Sequence, residues 1–283
     1  MSDLFATKFN YYHHSPSAVQ KLTEVDMFQK ILRARGDKMY YGSPATVGTA
    51  VEDYVSAVAI DGQSHDEALR HATSVLDAHE LLPWDSESDK GRLDVHRGDP
   101  LEAIAKNALA GIEKALETAN KIEGQEKLTK RYGGLALEFL GFSDFYGGGR
   151  VAELKVKTSA PTVTKTGTGK RIGSLPSKPD AKHAAQASFY SDVLGCPASL
   201  VYANEKEFRI FDETNCDELT PEGIQKNVTE LRSRAWSREN LMRCAPNQMT
   251  MMQMLAPDWT DWGWKMDPKF VIEAREIWGL KAA

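Results

Sequence analysis

The first half of the chain places its apolar residues at helical spacing. Ser15-Pro16 has the form of an N-cap followed by proline at the first helical position, and predicts a helix toward Arg35 that stops at Gly36. Val47, Val51, Tyr54, Val55 and Val58 share one face of a predicted helix from Val47 to Ile60. Ser64-His65-Asp66-Glu67 is a capping box and opens a helix to about Leu82. Asp99-Pro100 opens another, through Leu101, Ile104, Leu109, Ile112 and Leu116. Pro83 to Asp99, between them, reads as a polar loop.

The period then changes. Leu135 to Phe142 is short and apolar and reads as a strand. Gly147-Gly148-Gly149 is a turn. From Arg150 to Lys157 the pattern alternates, with Val151, Glu153, Lys155 and Lys157 on one face and Ala152, Leu154 and Val156 on the other. Two strands joined through glycine predict an antiparallel hairpin. Ala160 to Pro179, rich in Thr, Gly, Ser and Pro, reads as a mobile loop. A helix follows over His183 to Leu194, ended by Gly195. Ser199 to Ala203 and Glu207 to Phe211 read as strands, and Pro221 to Arg238 as a helix. The expected fold is α/β, a mixed central β-sheet flanked by helices with a helical N-terminal region. It reads as a single domain over 1–283: a helical part to about 125, a core over about 130–240 and a Trp-rich extension over about 245–283.

The 283 residues suffice for a sizeable core. There is no internal repeat and no apolar run of membrane-spanning length. The first ten residues lack the apolar stretch of a signal peptide. A cytoplasmic protein with no membrane partner is therefore expected. Cys196, Cys216 and Cys244 are scattered, without CxxC spacing, which speaks against a zinc site or a disulfide framework. The net charge of −5 is not that of a basic nucleic-acid binder. One segment departs from it: 155–182 holds seven Lys or Arg against the single acid Asp180.

That segment adjoins the candidate chemistry. Hydrolysing a phosphodiester requires an activated water and neutralised charge, which one or two Mg²⁺ ions supply through oxygen ligands. Asp144 ends the first predicted hairpin strand, while Glu153 and Lys155 leave the same face of the second. Pairing would gather two carboxylates and a lysine. The Asp/Glu-x-Lys pattern alone decides little, since it occurs three times: Glu153-Leu-Lys155, Asp180-Ala-Lys182 and Asp267-Pro-Lys269. Only the first lies in an alternating strand after an acid on a preceding strand, and a solvated strand face is its competing reading. Gln186 and Tyr190 share a helix face at i, i+4. Glu52, in Gly48-xxx-Glu52, offers a further carboxylate. Taken alone, each of these two motifs reads better as a surface or packing feature.

Gly141-Phe-Ser-Asp144, Glu153-Leu-Lys155 and Gln186-xxx-Tyr190, in this order, resemble the PD-(D/E)xK nuclease superfamily, most of all its RecB-like and lambda-exonuclease-like branches. Ser15-Pro16-Ser17 resembles the serine motif that often opens RecB-like domains. The resemblance spans about Ser15 to Phe211. It implies a restriction-endonuclease-like core and Mg²⁺- or Mn²⁺-dependent cleavage of DNA. Asp144 and Glu153 would bind metal, with the Leu154 carbonyl as an extra ligand. Lys155 would act on the attacking water, and Gln186 and Tyr190 would face the site. Glu52 stands where RecB-like members often carry histidine; other superfamily members use glutamate there. Some RecB-like relatives hold an iron–sulfur cluster on four cysteines, a set this chain lacks, so no cluster is expected.

DNA contact is expected from Lys157, Lys165, Lys170, Arg171, Lys178 and Lys182 beyond the catalytic strand, and from Ser15 and Ser17. The leading expectation is an exonuclease acting on DNA ends, in recombination, repair or phage DNA metabolism. A structure-selective or single-strand endonuclease and a non-catalytic DNA-binding subunit are the other readings. Lambda-exonuclease-like relatives form rings, so by analogy alone a homo-oligomer is admitted. His13-His14 reads as a surface pair; the C-terminal tryptophans could stack on bases, core packing or a subunit interface is the commoner use of such residues, and they are given no function.

Overall fold

The computed structural model describes residues 2–20, 24–37, 42–81, 87–164 and 167–280. In chain order its helices are α1 (Ser2–Phe9), α2 (Glu24–Ala34), α3 (Ser43–Ala59), α4 (His65–Asp77), α5 (Glu87–His96), α6 (Asp99–Ala115), α7 (Ala181–Leu194), α8 (Pro221–Cys244), α9 (Gln248–Gln253) and α10 (Pro268–Ile277). The strands are β1 (Glu123–Lys130), β2 (Phe139–Gly147), β3 (Arg150–Val156), β4 (Ala160–Thr164), β5 (Gly167–Arg171), β6 (Ala198–Ala203) and β7 (Phe208–Phe211). Two compact units divide them. The larger comprises Tyr41–Leu128 and Phe142–Val228; the smaller comprises Met1–Tyr40, Thr129–Gly141 and Thr229–Ala283.

The larger unit is built on a five-stranded sheet of order β1-β2-β3-β6-β7. β2 and β3 pair antiparallel, β3 and β6 parallel, and β6 and β7 antiparallel. Parallel pairing requires a crossover, here the β4–β5 ribbon followed by α7. β6 is buried along its whole length, as expected of a strand covered on both faces. Helices α3 and α6 bury Val47, Val51, Tyr54, Ile104, Ala108 and Ile112 against Phe145, Ala152, Leu154 and Val201 of the sheet. Helix α7 packs on β3 and β6. The expected mixed α/β plan, with helices preceding and flanking a central sheet, is what the chain adopts.

Local signals explain most boundaries. Ser64 Oγ accepts the Glu67 N–H and Glu67 Oε2 accepts the Ser64 N–H, so the capping box is formed in full. Gly195 ends α7 at φ +66, and Gly148 and Gly149 turn the β2–β3 hairpin at φ +58 and +73. A two-residue loop with both φ positive is the primed turn that matches strand twist. A Cβ on Gly148 would also stand 2.6 Å from Thr118 Oγ1 and 2.9 Å from the Ala119 nitrogen, so this turn has no room for a side chain.

Four expectations are corrected. The predicted loop between Pro83 and Asp99 contains α5. Its buried anchors are largely polar: Leu93 is accompanied by Asp89, which accepts from Ser43 Oγ, and by His96. Hydrophobic periodicity therefore had nothing to register. The supposed mobile loop over 160–179 begins with the antiparallel β4–β5 ribbon, in register from Ala160 opposite Arg171 to Thr164 opposite Gly167. Alternating Thr162, Val163 and Thr164 favour that conformation. Ser15-Pro16 opens a turn rather than a helix, with the Ser15 carbonyl accepting from Ala18 and Val19; the next helix starts at Glu24. Finally, His14 is no surface residue.

In the smaller unit His14 is fully buried. Its backbone bridges β2 on both sides of Phe139, through His14 N–H to the Glu138 carbonyl and Leu140 N–H to the His14 carbonyl. Its ring lies between Tyr11 Oη at 3.0 Å and Glu239 Oε1 at 3.1 Å. Burial lowers its pKa to about 4, despite Glu239, so the ring is neutral at pH 7. Around it, Phe5, Phe9, Phe28, Met251 and Met252 form an apolar core. Trp259, Trp264 and Trp278 complete this core: Trp264 lies 4.6 Å from Trp259 and 6.3 Å from Trp278 between ring centroids. Among the described residues no helix is long and apolar enough to cross a membrane.

Candidate active site

Glu153 and Lys155 lie two apart on β3, and the pleat sends both side chains to one face. Asp144 lies within β2 rather than at its end, one residue before Phe145, which pairs with Ala152. Main-chain and side-chain groups then interlock. The Asp144 N–H donates to Glu153 Oε1 at 3.1 Å, and the Leu154 N–H donates to Asp144 Oδ2 at 2.8 Å. Lys155 Nζ lies 3.1 Å from Glu153 Oε2 and 3.6 Å from Asp144 Oδ2. Glu153 is fully buried, whereas the side chains of Asp144 and Lys155 keep 14% and 18% of their exposure. The cluster therefore opens to solvent on the Asp144–Lys155 side. The other two Asp/Glu-x-Lys occurrences have a different use: Asp180 and Asp267 accept the N–H of Lys182 and Lys269 and cap α7 and α10.

The electrostatics show acid in excess. Burial, then the charge of Asp144, pushes the Glu153 carboxyl up to about 8, with Lys155 partly offsetting both. Burial alone would lower Lys155, but Glu153 and Asp144 outweigh it and hold the ammonium above its ordinary value. Glu52 reaches the same field from α3. Its carboxyl is raised by burial first and by Asp144 second. Gln125 Nε2 donates to Glu52 Oε1 at 2.8 Å. Gln125 is a non-glycine residue at φ +41, a costly backbone conformation that fits a position serving a site. Sequence periodicity had passed over Gln125, because its part depends on a kink in β1 and on a partner 73 residues away.

Gln186 and Tyr190 meet on α7 as their spacing implied, Gln186 Nε2 donating to Tyr190 Oη at 3.2 Å. Tyr190 is raised by burial and then by Glu153, which puts its hydroxyl within the electrostatic reach of the carboxylates. His183, two residues into α7, was read only as a helix start. It lines a cleft of about 210 Å³ together with Gly48, Glu52, Leu154, Lys155 and Lys157.

The expected DNA contacts differ in their surroundings. Lys157 lines the cleft, its Nζ 5.4 Å above the Tyr202 ring. Lys170 is engaged by Glu205, which also accepts from Ser159 Oγ. Arg171, Lys178 and Lys182 are exposed. Lys165 lies outside the described residues. Ser15 and Ser17 belong to the smaller unit, where their hydroxyls bond to each other at 3.0 Å. The three cysteines are free thiols.

Asp144, Glu153 and Glu52 are the residues that could hold a cation. Among the described residues no three His, Cys, Asp or Glu side chains converge into a ready-made metal cage. Asp144 raises the carboxyls of both Glu52 and Glu153, and oxygen ligands of this kind suit a hard divalent ion that keeps several of its waters. The Leu154 N–H is what orients Asp144.

No family model and no curated protein matches the chain. Among solved structures it is similar to one described as a "Putative exonuclease" from Eubacterium rectale, at 16% identity over 79% of this chain and 81% of that one, with a TM-score of 0.44. It is also similar to the crystal structure of SSO0001, at 11% identity over 81% of this chain and 94% of that one, with a TM-score of 0.29.

Proposed function

We propose that this chain is a Mg²⁺- or Mn²⁺-dependent deoxyribonuclease that hydrolyses phosphodiester bonds at DNA ends. One observation carries the reading. Asp144, Glu153 and Lys155, the three residues singled out by motif and strand phase, interlock within 3.6 Å at a solvent-open edge of β3. The charge of Asp144, which raises the carboxyls of both Glu52 and Glu153, supports a divalent cation in this place. Such a cation, once bound, would polarise the scissile phosphate and acidify a water. Asp144 and Glu153 would hold it, with Glu52 as a further carboxylate from α3. Lys155 would orient the attacking water and offset charge on the phosphate. Tyr190, kept protonated by burial, is a donor that Gln186 orients.

The test is incubation of the purified protein with linear and closed circular duplex DNA in Mg²⁺, Mn²⁺ and EDTA. Cleavage of linear DNA in either metal, none in EDTA, and none by Asp144→Ala is the expected result. Circles cut as fast as linear DNA would replace the exonuclease by an endonuclease. Full activity in Asp144→Ala would remove the site.

A further inference from the structure

Cleft residues around the carboxylates include one donor that the catalytic scheme leaves unused. His183 lines the cleft from the first turn of α7, and Glu52 lines it from α3. Among the described residues its ring is held by one hydrogen bond, between Nδ1 and Tyr202 Oη at 2.8 Å. Tyr202 is fully buried in β6, and its hydroxyl also accepts the Asp180 N–H at 3.2 Å. A hydroxyl has one proton to give. That oxygen accepts from Asp180, and among the described contacts Nδ1 is the acceptor within reach of its own proton. The imidazole proton is then on Nε2, a tautomer assigned from this network. Nε2 has no partner among the described residues.

The surroundings favour an anion at that nitrogen. Burial and then the ammonium groups of Lys155, Lys182 and Lys157 oppose charge on the ring and lower its pKa to about 4, outweighing Asp180. A neutral, fixed donor within the field of three lysines suits a phosphate oxygen. Tyr202 serves as both lock and floor, since Lys157 Nζ lies over its ring.

We infer that His183, its tautomer set by Tyr202, donates its Nε2–H to a non-bridging oxygen of a DNA backbone phosphate in the cleft, beside Lys157, and so holds the strand for cleavage. This rests on the nuclease reading for the identity of the ligand. His183 is thus a substrate-binding residue, and Tyr202 a positioning residue behind it.

The experiment compares the wild type with His183→Ala, His183→Gln and Tyr202→Phe. Binding of a fluorescein-labelled linear duplex is followed by anisotropy with Ca²⁺ replacing Mg²⁺, and cleavage by steady-state kinetics in Mg²⁺. Loss of one hydrogen bond to a charged oxygen predicts about tenfold weaker binding and about tenfold higher KM for His183→Ala, with kcat little changed. His183→Gln, whose amide can present an N–H near the same place, should recover most of the loss. Tyr202→Phe keeps the ring but frees its tautomer, and should fall between. Wild-type behaviour of His183→Ala overturns the inference, as does a Gln variant as weak as the Ala variant, which would mean that the ring acts by packing. If His183→Ala does not fold, the Gln and Phe variants decide: wild-type binding by Tyr202→Phe removes the lock. A wild type that binds DNA through His183 without cutting it sinks the nuclease reading and leaves the phosphate contact. One that cuts without needing His183 does the reverse, and one that does neither ends both.

Discussion

Replacing Lys155 by methionine removes the cation beside Glu153 and Asp144 while keeping side-chain length and apolar volume. At 3.1 and 3.6 Å and an effective dielectric of ~20, each charge pair is worth about 5 kcal/mol before the cost of burying the ammonium is subtracted. Breaking one partner from such a buried set typically costs about 3–5 kcal/mol when the remaining charge must stay ionised. Glu153 has another option, because it can keep a proton. Its folded pKa of about 8 lies above its ordinary 4.5, so its contribution to stability is complete below 4.5 and is lost as pH rises to about 8. Without Lys155 the folded pKa moves higher still. The loss then continues above pH 8 at about 1.4 kcal/mol per pH unit. Lys155→Met should therefore cost about 2 kcal/mol at pH 7.5, from the lost hydrogen bond and the stranded Asp144. At pH 9.5 it should cost about 2 kcal/mol more. Urea unfolding of both proteins in EDTA at pH 6.5, 7.5, 8.5 and 9.5 measures this. A difference that stays flat or shrinks above pH 8 would refute the electrostatic account of the cluster.

Three further outcomes follow from other parts of the structure. Gly148→Ala should destabilise by about 2 kcal/mol or more and Gly149→Ala by about 1, because both have positive φ but only Gly148 meets Thr118 and Ala119; equal losses in thermal unfolding would contradict the close approach. His14, lowered to about 4 by burial, is neutral in the fold and takes up a proton on unfolding, so its contribution holds above pH 6.5 and is lost as pH falls toward 4. That difference amounts to about 3 kcal/mol. Its imidazole resonances should not move between pH 8 and 5, and an NMR midpoint near 6.5 would refute its neutral burial. Gln125→Asn tolerates φ +41 but is too short to reach Glu52 as Gln125 does. Cleavage should fall several-fold with the melting temperature nearly unchanged, and full activity would show that Gln125 has no part in the site.

The helices were legible where apolar spacing carried their burial, as in α3 and α6, or where a cap announced them, as Ser64 does for α4. They were illegible where polar residues took the buried positions, as Asp89 and His96 do in α5. Ser15-Pro16 shows the converse failure. The cap signal is present, but His14 is tied to β2 on both sides of Phe139, and the chain leaves that bridge through a turn.

For the site, alternation on β3 put Glu153 and Lys155 on one face, and i, i+4 spacing put Gln186 beside Tyr190. Both are local consequences of strand and helix periods, so the sequence alone determined them. Which of the three Asp/Glu-x-Lys patterns forms a charge cluster was settled by long-range pairing: β2 delivers Asp144 to Glu153, while Asp180 and Asp267 are used as helix caps. The same holds for Gln125 reaching Glu52, and for Tyr202 fixing the His183 ring. These contacts depend on register and crossover between strands distant in sequence, and no local period encodes them. Even the basic stretch beyond Lys155, plain in composition, was redistributed by the fold, which gave Lys170 to Glu205 and brought Lys157 to the cleft.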